Sequence, residues 1–176
     1  MTIMRHPQRT HCLKTALACL AFSCAVPTVL AAAPEAPAPA SAERQQDVRE
    51  KGTQVMPFSL DQTLHTFDKT DTGGVQSVRA RNAAVDQVAM IRSHLDSIAQ
   101  SFNARDFSAP AHIHGADMPG MAEMKAAKPG ELTVRYRELN DGAELDYVSH
   151  SPTIIAAIHR WFDAQLADHG RDAVAQ

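Results

Sequence analysis

Cysteine is scarce in this 176-residue chain, and where it occurs it is far from any foldable segment. All three copies, Cys12, Cys19 and Cys24, fall in the first 24 residues. Aromatic residues make up only 5%, and the formal charge is −3. The weak acidic balance excludes a polybasic nucleic-acid binder. There is no Gly-rich phosphate loop, no G-x-S-x-G nucleophile turn and no H-E-x-x-H metal helix.

Arg5, Arg9 and Lys14 precede an uncharged run, Thr15–Ala33, which closes on small residues. This is the pattern of an export signal, so residues 1–33 are expected to be a cleaved secretory signal peptide. The mature protein is then periplasmic or secreted, with no stable membrane insertion. Cleavage removes every cysteine, and with them any disulfide, thiolate ligand or cysteine nucleophile. It also removes three basic residues, leaving 14 against 20 acidic ones, a net −6. The Pro/Ala alternation that follows disfavours a core, so residues 34–55 are expected to be a disordered linker. The domain is expected to span 56–170, with 171–176 as a tail.

Within it one order of elements occurs twice. Thr63–Lys69 alternates as a strand, Asp71-Thr72-Gly73-Gly74 turns the chain, and Val75–Arg81 returns. From Ala84 to Arg105 the apolar residues Val85, Val88, Ile91, Leu95, Ile98 and Phe102 recur at helical steps. Then Glu131–Glu138 and Ala143–Ser149 form a second hairpin about Asn140-Asp141-Gly142. A second helix starts at Pro152, with Ser151 as expected N-cap, and stops at Gly170. A shift of 67 residues places Ile91 on Ile158 and Leu95 on Phe162. The predicted fold is α+β: tandem ββα repeats forming a four-stranded antiparallel sheet with two helices on one face.

The shift also exposes mismatches. His65 falls on Leu132 and His94 on Trp161, so the first unit carries imidazoles where the second carries core side chains. The loop after the first helix adds His112, His114, Asp117, Met118 and Met121, with Met124 one further step on. Imidazole, carboxylate and thioether are transition-metal donors, and thioether favours cuprous copper. The expected function is a secreted, non-enzymatic metal-binding protein holding copper or zinc through His65, His94, His112, His114, Asp117, Met118 and Met121. The competing assignment for the methionines is a turn of helix filling the core. For His159 and Asp163 it is an i, i+4 contact, and for His169 a helix C-terminus favouring the protonated ring. Two other functions fit the same residues. One is an interaction module binding a protein partner or forming a homodimer. The other is an enzyme with His65 or His114 as general base beside Asp117.

Three blocks resemble a family of small exported bacterial proteins: MPFSLDQTLHTFDKTDTGGVQSV from Met56, HGADMPG from His114, and IHRWFDAQLADHG from Ile158. Members of that family often carry the label aspartate carbamoyltransferase. The resemblance implies that the three blocks belong to one domain. The label is not supported: such an enzyme has two α/β domains and a Ser-Thr-Arg-Thr phosphate loop, absent here. A His-Pro-Gln triplet like that enzyme's occurs only at His6-Pro7-Gln8, inside the signal segment.

Overall fold

A computed structural model describes residues 37–82 and 84–176; the expected signal peptide lies outside them. Two hairpins build the sheet. β1 (Thr63–Thr70) pairs antiparallel with β2 (Gly73–Ala80), and β3 (Thr133–Leu139) with β4 (Gly142–Val148). The hairpins join through their second strands, β2 against β4, with Gly73 opposite Val148 and Arg79 opposite Gly142. Glycine is required at both ends of this seam. A Cβ on Gly73 would strike the Tyr147 carbonyl, and one on Gly142 the Val78 carbonyl. Gly73 also has φ 142°, which side-chain-bearing residues rarely adopt.

Strand alternation then sorts the side chains. His65, Phe67, Val78, Val134, Leu145 and Tyr147 are buried on one face. The opposite face carries the Thr66–Ser77 hydroxyl pair, Arg137 Nε donating to Glu144 (2.8 Å) and the Arg135–Asp146 ion pair. Two long helices cover the apolar face: α2 (Val85–Asn103) and α5 (Pro152–His169). α2 buries Ile91, Leu95, Ala99 and Phe102, the stripe the helical period predicts. α5 buries Ile154, Ile158, Trp161 and Phe162; Phe162 packs tilted against Phe67, with ring centroids 5.1 Å apart. Full burial of each such ring contributes on the order of 2–3 kcal/mol. Pro152 occupies the first turn of α5 as expected. Ser151 makes no side-chain cap; its N–H donates instead to Ser149 Oγ at 3.0 Å.

Three expectations are corrected. The sheet is five-stranded and mixed, in the order β3-β4-β2-β1-β5, because the expected tail contributes β5 (Ala173–Ala175), parallel to β1. Three residues are too short to register as a strand by alternation; β5 forms because the edge of β1 offers unpaired backbone groups. The expected linker contains α1 (Ala42–Gly52), an 11-residue helix. Its polar sequence has no apolar period, yet its ends are well specified. Ser41 Oγ accepts from the Arg44 N–H, Glu43 lies in the first turn, and Arg49 and Lys51 lie in the last. Finally, the His112–Met124 loop is mostly helical: α3 (Ser108–His114) and α4 (Met121–Ala126). Among the described residues no helix is long and apolar enough to cross a membrane.

Candidate functional site

The helix-covered core is not uniformly apolar. Four imidazoles line one cavity of about 70 Å³: His65 from β1, His94 from α2, His114 from the end of α3 and His169 from the end of α5. His65 and His114 are each 4% exposed. The ring centroids of His65 and His169 are 5.2 Å apart, and those of His169 and His114 are 5.1 Å apart. His94 stands off from this row. Phe58 packs against both His94 and His65, 5.6 Å from the first ring and 6.0 Å from the second. Phe58 is held there by the Ser59 N–H, which donates to Gln87 Oε1 of α2 at 2.8 Å.

One imidazole is oriented from outside the cavity. Asp168 Oδ2 accepts from His114 Nδ1 at 2.8 Å. Arg44 of α1 grips the same carboxylate with Nε (3.0 Å) and Nη2 (2.6 Å), and Nη2 also donates to the His114 carbonyl at 2.6 Å. Burial alone would raise the Asp168 carboxyl, but hydrogen bonds from His114 and Arg44 more than offset it and hold it at about 2. An ionised carboxylate only accepts, so Nδ1 of His114 is the donor of this bond. A second arginine of α1, Arg49, pairs with Asp172 and with Asp61 (3.1 Å). The polar helix α1 is therefore docked by two arginines onto the C-terminal end of α5, beside His169, and buries Val48 as its one apolar anchor.

The remaining rings are neutral at physiological pH. His65 is pushed down to about 4, first by burial and then by proximity to His94; a hydrogen bond with the Asp172 backbone opposes this weakly. His94 is lowered by burial. His169 is lowered well below its usual value by burial, reinforced by His65 and His114. Its expected protonation at a helix terminus is thus reversed: desolvation of a ring enclosed by two other imidazoles outweighs the helix dipole. Two buried polar atoms have no hydrogen-bond partner among the described residues, His65 Nδ1 and Trp161 Nε1. Both residues line the same cavity.

Of the seven residues singled out from the sequence, His65, His94 and His114 come together at the cavity. His112 does not: it is exposed and its Nε2 meets Gln54 Oε1 at 2.9 Å. Its ring leaves α3 two residues before that of His114, hence on another side of the helix. Asp117 is exposed, on an outer groove it shares with Arg44 and Asp168. Met118 and Met121 are buried in the apolar core with Met124, and none of the three lines the cavity. His159 and Asp163 do not pair. The first lies 3.0 and 2.9 Å from the Thr70 and Gly73 carbonyls, and the second pairs with Lys69. His169 is the participant that sequence reasoning missed. A signal existed, since Ile158, Phe162, Gln165 and His169 follow one another at steps of four, three and four along the buried side of α5.

Among the described residues no group of three or more His, Cys, Asp or Glu side chains is already gathered as a metal-holding set. No family model, curated protein or solved structure matches this chain.

Proposed function

We propose that this is an exported, non-enzymatic transition-metal-binding protein whose centre is the row His65–His169–His114, with His94 at its edge. The observation that carries this reading is the contact of three imidazoles around one cavity, at centroid separations of 5.1–5.2 Å. With a metal–nitrogen distance of about 2.1 Å and a ring radius of about 1.2 Å, imidazoles sharing an ion can have centroids up to about 6.5 Å apart. The separations fit; the ring directions do not yet converge. Rotation of His65 and His169 about the last side-chain torsion, which is broad for histidine, would turn their nitrogens toward His114 while its bond to Asp168 is kept.

The surroundings favour the same chemistry. Metal binding needs unprotonated imidazole, and burial favours the unprotonated form of His65, His94 and His169. The bond from His114 to Asp168, itself held by Arg44, is the outer-shell support that fixes a ligating histidine's tautomer. The donor set is all nitrogen, because the thioethers of Met118 and Met121 serve the core. The favoured ions are therefore zinc(II) and copper(II), and cuprous copper loses its basis. An enzymatic reading with His114 as base and Asp168 as its orienting partner has less support. No Ser, Thr, Cys, Lys or Tyr lies among the described residues lining the cavity.

We further read the two hairpin–helix segments as a duplicated unit. The hairpin turns, Thr70 to Gly73 and Leu139 to Gly142, are 69 residues apart; the helix starts, Val85 and Pro152, are 67 apart. On this correspondence the first unit places His65 and His94 where the second has Val134 and Trp161. Export rests on the charge and apolar pattern of residues 1–33.

The test is titration of the protein with zinc(II), copper(II) and copper(I), read by thermal melting. Zinc(II) or copper(II) is expected to raise the melting temperature. His169→Ala is expected to abolish the shift and His112→Ala to leave it intact. A melting curve indifferent to all three ions would end the reading.

A further inference from the structure

We propose that the core cavity of the metal-free protein is a binding site for a small uncharged alcohol, whose hydroxyl pairs with His65 Nδ1. This is a second ligand, and it does not depend on the metal-binding reading above.

Four observations lead there. The first is the wall. Apolar side chains from the sheet and the helices line the cavity, among them Phe58, Phe67 of β1, Val78 of β2, Leu95 of α2, Ile113 of α3 and Leu145 of β4. Such a wall favours a ligand with an apolar body. The second is charge. No Asp, Glu, Lys or Arg is among the described residues lining the cavity. Asp168, outside it, is already bonded to Arg44 and His114. A charged ligand would lose its hydration without meeting a carboxylate or a permanent cation, and that is costly.

The third is His65. It lines the cavity, is 4% exposed, and its Nδ1 has no hydrogen-bond partner among the described residues. Buried polar atoms are rarely left so, because each costs stability until it is paired. In a neutral imidazole Nδ1 either donates or accepts, according to tautomer. A hydroxyl does both, so it answers Nδ1 in either form, whereas an ether or a ketone answers only one. The fourth is size. The cavity, about 70 Å³, limits the ligand to a few heavy atoms, which is the size of a short-chain alcohol.

The test uses the full chain with a chelator present and n-butanol as the probe. Trp161 is the chain's one tryptophan and lines the cavity, so its fluorescence reports on occupancy. n-Butanol is expected to change that fluorescence saturably, with a dissociation constant in the millimolar range, as a ligand of so few atoms permits. Butanoate and butylammonium, equal in length but charged, are expected to bind at least about tenfold more weakly. His65→Leu keeps an apolar side chain in the wall and removes the nitrogen. It is expected to weaken n-butanol binding about tenfold, the loss of one hydrogen bond. Should His65→Leu fail to fold, the wild-type chain suffices: along the series ethanol, n-butanol, n-octanol, affinity rises and then falls where the alcohol outgrows the cavity. Fluorescence that changes without saturating, or an affinity that keeps rising to n-octanol, overturns the proposal. So does butanoate binding as tightly as n-butanol, or n-butanol binding as tightly in His65→Leu. Because the chelator excludes metal throughout, each of these results bears on the alcohol site alone.

Discussion

The two hairpin–helix segments share one sheet and one covered face, yet they bury different chemistry. Under the second, from Thr133 to His169, the packed positions along strands and helix are mainly Val134, Leu145, Tyr147, Ile158, Trp161 and Phe162. Under the first, from Thr63 to Asn103, Phe67, Val78, Ile91 and Leu95 play the same part, but His65 and His94 interrupt them. The second segment completes the interruption from its far end, where α5 delivers His169 and Asp168, the carboxylate that pairs with His114. The lesson is that a core assembled from two similar layers tolerates polar side chains at a seam. There the rings pack against each other and against Phe58, tilted or edge-on.

This contrast can be broken most sharply by truncating each side. Phe162→Ala, in the continuous apolar half, is expected to cost about 3–5 kcal/mol in urea unfolding, since the ring is fully buried between Phe67 and Tyr147. His65→Leu, in the interrupted half, is expected to gain about 1 kcal/mol in the metal-free protein, because it removes a buried nitrogen without a partner. It should at the same time lose metal binding. A loss of stability in His65→Leu comparable to that of Phe162→Ala would make the imidazole a packing element.

Acid should separate the halves next. Unfolded His65 takes up its proton near 6.5 and the folded residue near 4. Between those values the unfolded chain holds more protons, so stability is flat above about pH 6.5 and falls as the pH drops toward 4. For His65 the loss is about 3 kcal/mol. Asp168 acts lower. Its contribution is present above pH 3.8 and is lost as the pH falls through about 2. Denaturation midpoints measured from pH 8 to pH 4 check the first window, and His65→Leu should lessen the slope, leaving the part that His94 and His169 contribute. An unchanged slope in that variant would place the titration elsewhere.

A smaller effect is expected where α1 meets α5. Asp168→Ala removes the acceptor of Arg44 and His114 together, at a cost of about 2 kcal/mol once the partial exposure of Arg44 is allowed for. Limited proteolysis should then cut within Ala42–Gly52, because α1 loses its main attachment; protection equal to wild type would show that Val48 and Arg49 suffice. The smallest effect belongs to His112→Ala. Its ring is exposed and touches only a glutamine side chain, so stability should change by less than about 0.5 kcal/mol. Zinc affinity should not change at all.

Most of the architecture was legible in the residues because it follows from local periods. The alternation of Thr63–Lys69 and the three-and-four spacing from Ile91 to Phe102 specify a strand and a helix wherever they are placed, since the faces they create must be buried. The glycines at the turns and the start of α5 at Pro152 are equally local. The anomaly of histidine at two packed positions was also readable. Three things were not. α1 docks through Arg44 and Arg49 onto aspartates more than 100 residues away, and long-range ion pairs leave no period behind. β5 borrows its partner from the edge of β1. His169 looked like a cationic helix end, and only the packing of His65 and His114 around it makes it neutral. Sequence alone determined which segments are strands and helices and that imidazoles enter the core, because those follow from side-chain spacing along one chain. The tertiary structure alone decided which imidazoles meet and which carboxylate orients them. Convergence is a property of several elements at once, and desolvation, which sets their charge, exists only after the elements have packed.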